Sequence, residues 1–76
     1  MHSDNISRLR DMRNDLDKTQ KEVAEELGLH LTTYARWEQN PYQVKLADLI
    51  VLSKYYNCTI DYIAGLTNEK RPLYKK

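Results

Sequence analysis

The stretch GLHLTTYARWEQN, residues 28–40, carries the side chains of this sequence that are best suited to recognising another molecule. On a helix, residues three and four apart share a face, so Tyr34 and Trp37 lie on one side, with Leu29 leading into it. The other side holds Leu31, Thr32, Ala35, Arg36 and Gln39. This second face is too mixed for a core stripe and too poor in charge for an ordinary solvated face. We therefore expect it to contact a ligand.

Catalytic and metal-binding patterns are missing from the sequence. It contains no glycine-rich phosphate loop and no nucleophile at motif spacing from a base. His2, His30 and Cys58 lack the spacing of a metal site. The adjacent carboxylates Glu25 and Glu26 would point apart on a helix. We predict a protein that is not an enzyme, with no catalytic residues, no cofactor, no metal and no small-molecule substrate.

Length and composition fit one small soluble domain. The chain has 76 residues, of which 41% are hydrophobic and 30% charged. The sequence contains no run of about 18 apolar residues, so it predicts no membrane span. The N-terminal sequence lacks the apolar segment of a signal peptide. The single cysteine, Cys58, cannot form an internal disulfide and suits a reducing cytoplasm. We expect a cytoplasmic location.

Charge gives little support to a nucleic-acid partner. The net charge is +1. Residues 1–38 carry six Lys and Arg against eight Asp and Glu, whereas residues 39–76 carry six against three. Phosphate neutralisation supplies most non-specific DNA affinity, so any DNA binding should be modest and salt-sensitive.

The first half of the chain predicts two helices. Ser3, Asp4 or Asn5 is expected to cap the first helix. Its inward residues would be Ile6, Leu9, Met12 or Arg13, and Leu16, while Arg8, Asp11 and Asp15 would lie on its outer face. Thr19 and Glu22 form a capping box that starts the second helix. Gly28 would end that helix in the left-handed conformation, after Val23, Ala24 and Leu27 have turned inward.

Three further helices follow. The third should span His30 to Gln39, and the fourth Leu46 to Tyr56, with Leu49, Ile50, Ser53 and Tyr56 along one side. Thr59 would cap a fifth helix that ends at Gly65. We thus predict an all-α fold of five helices, with a domain over residues 1–67 and a basic, flexible tail over residues 68–76.

Two segments resemble a known family. The segment TQKEVAEELGLHLTTYARWE resembles the helix-turn-helix core of the phage-repressor-like family, also called the Cro/CI or XRE family. The segment LIVLSKYYNCTIDYIAGLT is similar to the last two helices of that family. The resemblance runs from about Ile6 to Thr67. It implies a lambda-repressor-like domain in which helices 2 and 3 form the helix-turn-helix.

The resemblance also implies which residues contact DNA. Arg36 would bond a guanine in the major groove, Leu31 would cover a thymine methyl, and Gln20 would contact phosphate. The full set of implied DNA contacts is Gln20, Leu31, Thr32, Thr33, Arg36, Thr19, Gln39 and Lys45. The family further implies an ion pair between Arg13 and Glu38, and a dimer contact made by Tyr62, Leu66 and Tyr55.

The sequence departs from the family at the ends of the recognition helix. Asn40 stands where glycine is common, and Pro41 favours an extended conformation at the residue before it. His30 replaces the usual serine or threonine cap. The loop PYQVK is poor in basic residues, which leaves Lys45 and Tyr42 to contact the DNA backbone.

These observations predict a sequence-specific DNA-binding transcription regulator. We expect a repressor that binds a palindromic operator on double-stranded DNA as a homodimer, because one such domain contacts too little DNA for tight specific binding. The alternative from a different class is a protein-interaction module on the same fold, such as an antirepressor or an antitoxin-like partner. Salt-dependent binding to duplex DNA would separate the two.

Overall fold

In a computed structural model, which describes residues 7–72, the chain folds into five α-helices, with no strand in that range. They are α1 (Arg8–Asp15), α2 (Gln20–Leu27), α3 (Leu31–Gln39), α4 (Leu46–Tyr56) and α5 (Ile60–Ile63). A single 3-10 turn, Pro41–Gln43, lies between α3 and α4. The predicted all-α fold of five helices is confirmed. Among these residues, no helix is long and apolar enough to cross a membrane.

The core forms where the helices meet around α3. Helix α3 packs against α2 and α1, and α5 packs against α1 and α4. The buried apolar residues are Leu9, Met12, Val23, Ala24, Tyr34, Val44, Leu52, Tyr56, Cys58 and Ile63. The hydroxyl oxygens of Tyr34 and Tyr56 lie 2.6 Å apart and share a hydrogen bond. Burial raises the pKa of Tyr34 and raises the pKa of Tyr56 to about 12, so both hydroxyls are protonated in this hydrogen bond at neutral pH.

Local signals set most helix ends. The Thr19 Oγ1 accepts from the Glu22 amide at 3.1 Å, and Glu22 Oε1 accepts from the Thr19 amide at 2.8 Å, which completes the predicted capping box. Gly28 ends α2 at φ +72°, a conformation that strains other residues. The Thr59 side chain caps α5 by accepting from the Tyr62 amide. The turn between α2 and α3 is therefore short, and Gly28 sets its geometry at the end of α2.

Helix α1 differs from its prediction. The expected caps Ser3, Asp4 and Asn5, and the expected core residue Ile6, lie outside the described residues. The observed cap is Ser7, whose Oγ accepts from the Arg10 amide at 3.2 Å. Leu16 was expected to face inward, yet 48% of its surface is exposed. Leu16 is the C-cap residue of α1, one residue past the helix end at Asp15, and the buried residues Leu9 and Met12 lie in the earlier turns that pack against the core.

Helices α4 and α5 each depart from expectation in one respect. The buried side of α4 consists of Leu52, Ser53 and Tyr56, while Ile50, expected on that side, is 40% exposed. Helix α5 ends at Ile63 instead of continuing to Gly65. Gly65 follows at φ +80° and turns the chain away.

Arg8 is not the purely solvated residue that the sequence predicted. Its guanidinium carbon lies 4.5 Å from the centre of the Tyr62 ring. Its Nη2 donates to Asn68 Oδ1 at 2.7 Å, and its Nη1 donates to the Thr67 carbonyl at 3.4 Å. Arg8 therefore joins the start of α1 to the residues that follow α5.

Replacing Gly28 tests the turn between α2 and α3. A Cβ at this position meets no atom within 4 Å, so the cost of Gly28→Ala comes from the left-handed backbone alone. We expect a loss of about 1–2 kcal/mol in unfolding free energy, measured by urea denaturation. Gly28→Asn should lose less, because asparagine tolerates this conformation better. Equal stability of Gly28→Ala and the parent would show that residue 28 can leave the left-handed region at no cost.

Candidate nucleic-acid interface

Helix α3 has one buried face and one exposed face. Tyr34 and Glu38 are buried, and Trp37 is half-buried and packs against the core. Leu31, in the first turn of the helix, is 45% exposed. The residues of this exposed face, called the α3 outer face below, are Leu31, Thr32, Arg36 and Gln39, with Thr33 and Ala35 half-buried at its margins. The outer face combines a methyl-bearing side chain, a hydroxyl, an amide and a guanidinium.

An ion pair fixes the buried side of α3 to α1. Arg13 Nε donates to Glu38 Oε2 at 2.6 Å, and Arg13 Nη2 donates to Glu38 Oε1 at 3.1 Å. The Glu38 side chain is only 3% exposed and that of Arg13 13%. Arg13 Nη1 also donates to the Lys18 carbonyl at 2.9 Å. The bidentate geometry restricts both the rotation and the position of α3.

Gln20 belongs to the same network. Its Nε2 donates to Glu38 Oε1 at 2.8 Å, so part of its amide is occupied within the protein. Burial alone would raise the pKa of Glu38, but hydrogen bonds from Arg13 and Gln20 outweigh it and hold that pKa below its ordinary value. The sequence assigned Gln20 only to DNA, and the resemblance gave no indication of this internal bond. The structure links the first residues of α2 to the last turn of α3 through one carboxylate.

The start of α3 is open to an external acceptor. His30 occupies the N-cap position, and its side chain makes no capping hydrogen bond. The first backbone N–H groups of a helix have no intrahelical partner, and they attract anions together with the helix dipole. A phosphate oxygen is an acceptor of the required kind.

The start of α2 carries another hydrogen-bond donor, the hydroxyl of Thr19. Thr19 Oγ1 accepts a hydrogen bond from the Glu22 amide, which leaves the hydroxyl hydrogen available for donation. Thr19 is exposed. It can therefore cap α2 and donate to an external acceptor at the same time.

The segment after α3 shows how the chain accommodates Asn40 at a position where the family commonly has glycine. Asn40 is extended, at φ −148° and ψ 86°, and not left-handed. Its Oδ1 accepts from the Tyr42 amide at 3.1 Å, which starts the 3-10 turn at Pro41. Proline after Asn40 favours this extended conformation. Lys45, at the N-cap of α4, is exposed, and it is a basic residue on the linker between α3 and α4.

A surface cleft lies next to the α3 outer face. It is lined by Arg10, Gln20, Ala35, Glu38 and Gln39. Residues of α1, α2 and α3 thus meet in one place, and Arg10 adds a guanidinium that the sequence did not single out. The sequence contained no signal that Arg10 of α1 adjoins α3.

The three residues expected at a dimer contact differ in exposure. Leu66 is 77% exposed. Tyr62 is half-buried and its ring lies under the Arg8 guanidinium. Tyr55 is half-buried, and its hydroxyl donates to Glu26 Oε1 at 2.6 Å. Only Leu66 of this set offers most of its side chain to a partner.

Helix α2 begins with a capping box, and Gly28 turns the chain in the left-handed conformation. Helix α3 then has one side packed against the core and one side exposed. This arrangement defines a helix-turn-helix domain. The helix-turn-helix family model matches residues 9–63, and the chain belongs to this family. The resemblance to the phage-repressor-like branch is thereby confirmed.

The description of a related protein agrees with this family. The chain is 32% identical over 65 residues to a Bacillus subtilis (strain 168) protein described as an uncharacterized HTH-type transcriptional regulator, YobD. The match covers 86% of this chain and 58% of the relative, so the chain spans little more than half of that protein's length. No solved structure matches the chain significantly.

Removing Arg13 tests the ion pair. Arg13→Ala leaves a buried carboxylate without its main partner, and we expect a loss of about 1–3 kcal/mol in unfolding free energy. The control is Lys54→Ala, because Lys54 is an exposed basic residue of α4. Arg8 is unsuitable as a control because of its contacts with Tyr62 and Asn68. Equal losses in the two variants would show that the ion pair does not stabilise the fold.

The lowered pKa of Glu38 predicts a pH dependence. A carboxyl whose pKa is lower in the folded state stabilises the fold above its unfolded pKa of about 4.3, and this stabilisation disappears as the pH falls through the folded pKa. Glu38→Gln should therefore be less stable than the parent at pH 7, with a smaller difference at pH 3. Urea denaturation at both pH values measures this. The control is Glu25→Gln, at an exposed residue, whose stability relative to the parent should not change in this way with pH. If the stability difference between Glu38→Gln and the parent were the same at both pH values, the lowered pKa of Glu38 would be contradicted.

Proposed function

We propose that this chain is a sequence-specific DNA-binding transcription regulator that acts as a repressor and binds a palindromic operator as a homodimer. The observation that carries the proposal is the α3 outer face, which stays exposed while the buried Glu38 of the same helix is bonded to Arg13. A recognition helix needs a readable face and a fixed orientation relative to the rest of the domain.

The side chains of the outer face suit base edges in the major groove. Arg36 can donate two parallel bonds to O6 and N7 of guanine, which is the commonest specific contact. The exposed Leu31 can cover a thymine methyl, and the Thr32 hydroxyl can donate or accept. Thr33 and Gln39 lie beside them on the same helix. Leu31, Thr32 and Arg36 are therefore the expected base contacts, and Thr33 is an expected phosphate contact.

The surroundings of this face suit the phosphate backbone. The uncapped start of α3, the Thr19 hydroxyl and the Lys45 ammonium are donors of the kind that phosphate oxygens accept. Gln20, whose Nε2 is held by Glu38, retains a second amide hydrogen for the same purpose. Such contacts set the register of the protein on the duplex, while α3 reads the bases.

Dimerisation and repression complete the proposal. One domain of this size contacts too few base pairs for high specificity, and a two-fold pair reads two half-sites about one helical turn apart. The contact that the sequence predicts, through Tyr62, Leu66 and Tyr55, remains a prediction. Repression is favoured because occupying a promoter is sufficient for it, whereas activation needs an additional contact with the transcription machinery.

The alternative is a protein-interaction module on the same fold. A net charge of +1 and the exposed Leu31 favour it. Selection of binding sites from random duplexes, followed by a salt titration, separates the two functions. A DNA-binding regulator should enrich one sequence and lose affinity steeply with salt. Failure to enrich any duplex would favour the protein-interaction module.

Two variants distinguish base reading from phosphate contact. Arg36→Ala should cost about 1–3 kcal/mol at one base position and relax specificity there. Lys45→Ala should instead weaken binding uniformly across sequences and reduce the salt slope by about one. Competition between duplexes that differ at single positions measures both effects. If Arg36→Ala binds all sequences as the parent does, Arg36 does not read a base.

A further inference from the structure

The cleft beside the α3 outer face is open to solvent and polar. Its volume is about 430 Å³. Three helices line it, α1 with Arg10, α2 with Gln20, and α3 with Ala35, Glu38 and Gln39. Arg10 and Gln39 are exposed, whereas Glu38 is buried. Ala35 has only a methyl group, so it fills little of the space between the longer side chains. The cleft can therefore receive a polar group from outside the protein.

Helical spacing explains why Arg10 lies at this cleft. Arg10 and Arg13 are three residues apart on α1, so they share a face of that helix. Arg13 Nε donates to Glu38 Oε2 at 2.6 Å, which turns this face of α1 towards α3. Arg10 lies one turn closer to the start of α1 and is exposed. A molecule that approaches the α3 outer face from solvent can therefore reach its guanidinium.

The charge of the cleft favours an anion. Arg10 and Glu38 are the charged residues of its lining, and the Glu38 carboxylate already accepts from Arg13 and Gln20. Because Arg13 neutralises Glu38, the lining residues and Arg13 together carry a formal charge of +1. A guanidinium has five N–H donors, so Arg10 can donate to an anion while it also donates within the protein.

We propose that this cleft holds one backbone phosphate of the duplex that α3 reads, with the Arg10 guanidinium as its main donor. The proposal rests on the DNA-binding function proposed above and adds a binding residue to it. In a helix-turn-helix domain α3 enters the major groove, so a residue of α1 meets the backbone and not the base edges. The planar guanidinium can donate two parallel bonds to the oxygens of one phosphate.

The position of the cleft relative to α3 supports a phosphate of the same duplex. Gln39 belongs to both the cleft and the α3 outer face, and Ala35 lies at the margin of that face. A duplex bound along the outer face therefore brings one strand's backbone towards the cleft. Gln20 Nε2 donates to Glu38 Oε1 at 2.8 Å, which leaves its second amide hydrogen as a further donor beside Arg10.

The salt dependence of duplex binding tests the role of Arg10. Arg10→Ala should weaken binding equally for all sequences and reduce the slope of log affinity against log salt by about one, because one phosphate is no longer neutralised. Arg10→Lys keeps the charge and should keep the slope. The matched control is Lys54→Ala, which removes an exposed positive charge outside the cleft and should also keep the slope. An Arg10→Ala slope equal to that of the parent would overturn the proposal.

Neutral methylphosphonate linkages, placed one at a time in a selected duplex, locate the phosphate. At one position the parent should lose affinity while Arg10→Ala loses little, and both should lose affinity at the other contacted positions. Lys45→Ala should become insensitive at a different position. A free phosphate ion in the cleft would produce no dependence on one DNA position, so that result would also refute the proposal.

Two further measurements keep the outcomes separate. Urea denaturation checks that each variant is folded, and Arg10→Gln removes the same charge if Arg10→Ala does not fold. If Arg10→Ala keeps every methylphosphonate loss of the parent, the chain binds DNA but Arg10 contacts no phosphate. If the parent binds no duplex, the proposed function itself fails, and the phosphate contact fails with it.

Discussion

The bond between Arg13 and Glu38 fixes the geometry on which the candidate interface depends. Glu38 lies on the buried side of α3, and its carboxylate accepts from Arg13 of α1 and from Gln20 of α2. Leaving that carboxylate buried without partners would be costly, so the three helices must keep one relative arrangement. The outer face of α3 is exposed as a consequence, because its opposite side cannot turn away from α1.

The remaining structure supports this arrangement from both ends of α3. Gly28 starts the short connection from α2 to α3 in the left-handed conformation, and the extended Asn40 ends α3 before the 3-10 turn that begins at Pro41. The Tyr34 and Tyr56 hydroxyls pair in the core, which anchors the middle of α3 to the end of α4. Rigidity of this kind matters for recognition, because an aligned helix loses little conformational freedom on binding.

The charge of the candidate interface differs from the net charge of the whole chain. A net charge of +1 gives no general attraction to a polyanion. However, Glu38 is neutralised internally, while Arg36, Lys45 and Arg10 lie on or near the exposed side of the helix-turn-helix. The charge that acts on a ligand is that of the surface it meets, and not that of the chain as a whole.

The sequence by itself determined the elements whose causes are local. The capping box at Thr19 and Glu22, the left-handed Gly28, the Leu46 to Tyr56 helix and the two faces of α3 all follow from residue spacing and backbone preference. Only the tertiary structure decided what depends on distant contacts. It attached Gln20 to Glu38, brought Arg10 beside α3, placed Arg8 over Tyr62, and left Ile50 and Leu16 exposed. Helical periodicity specifies which residues share a face, but the packing of other helices decides whether that face is covered.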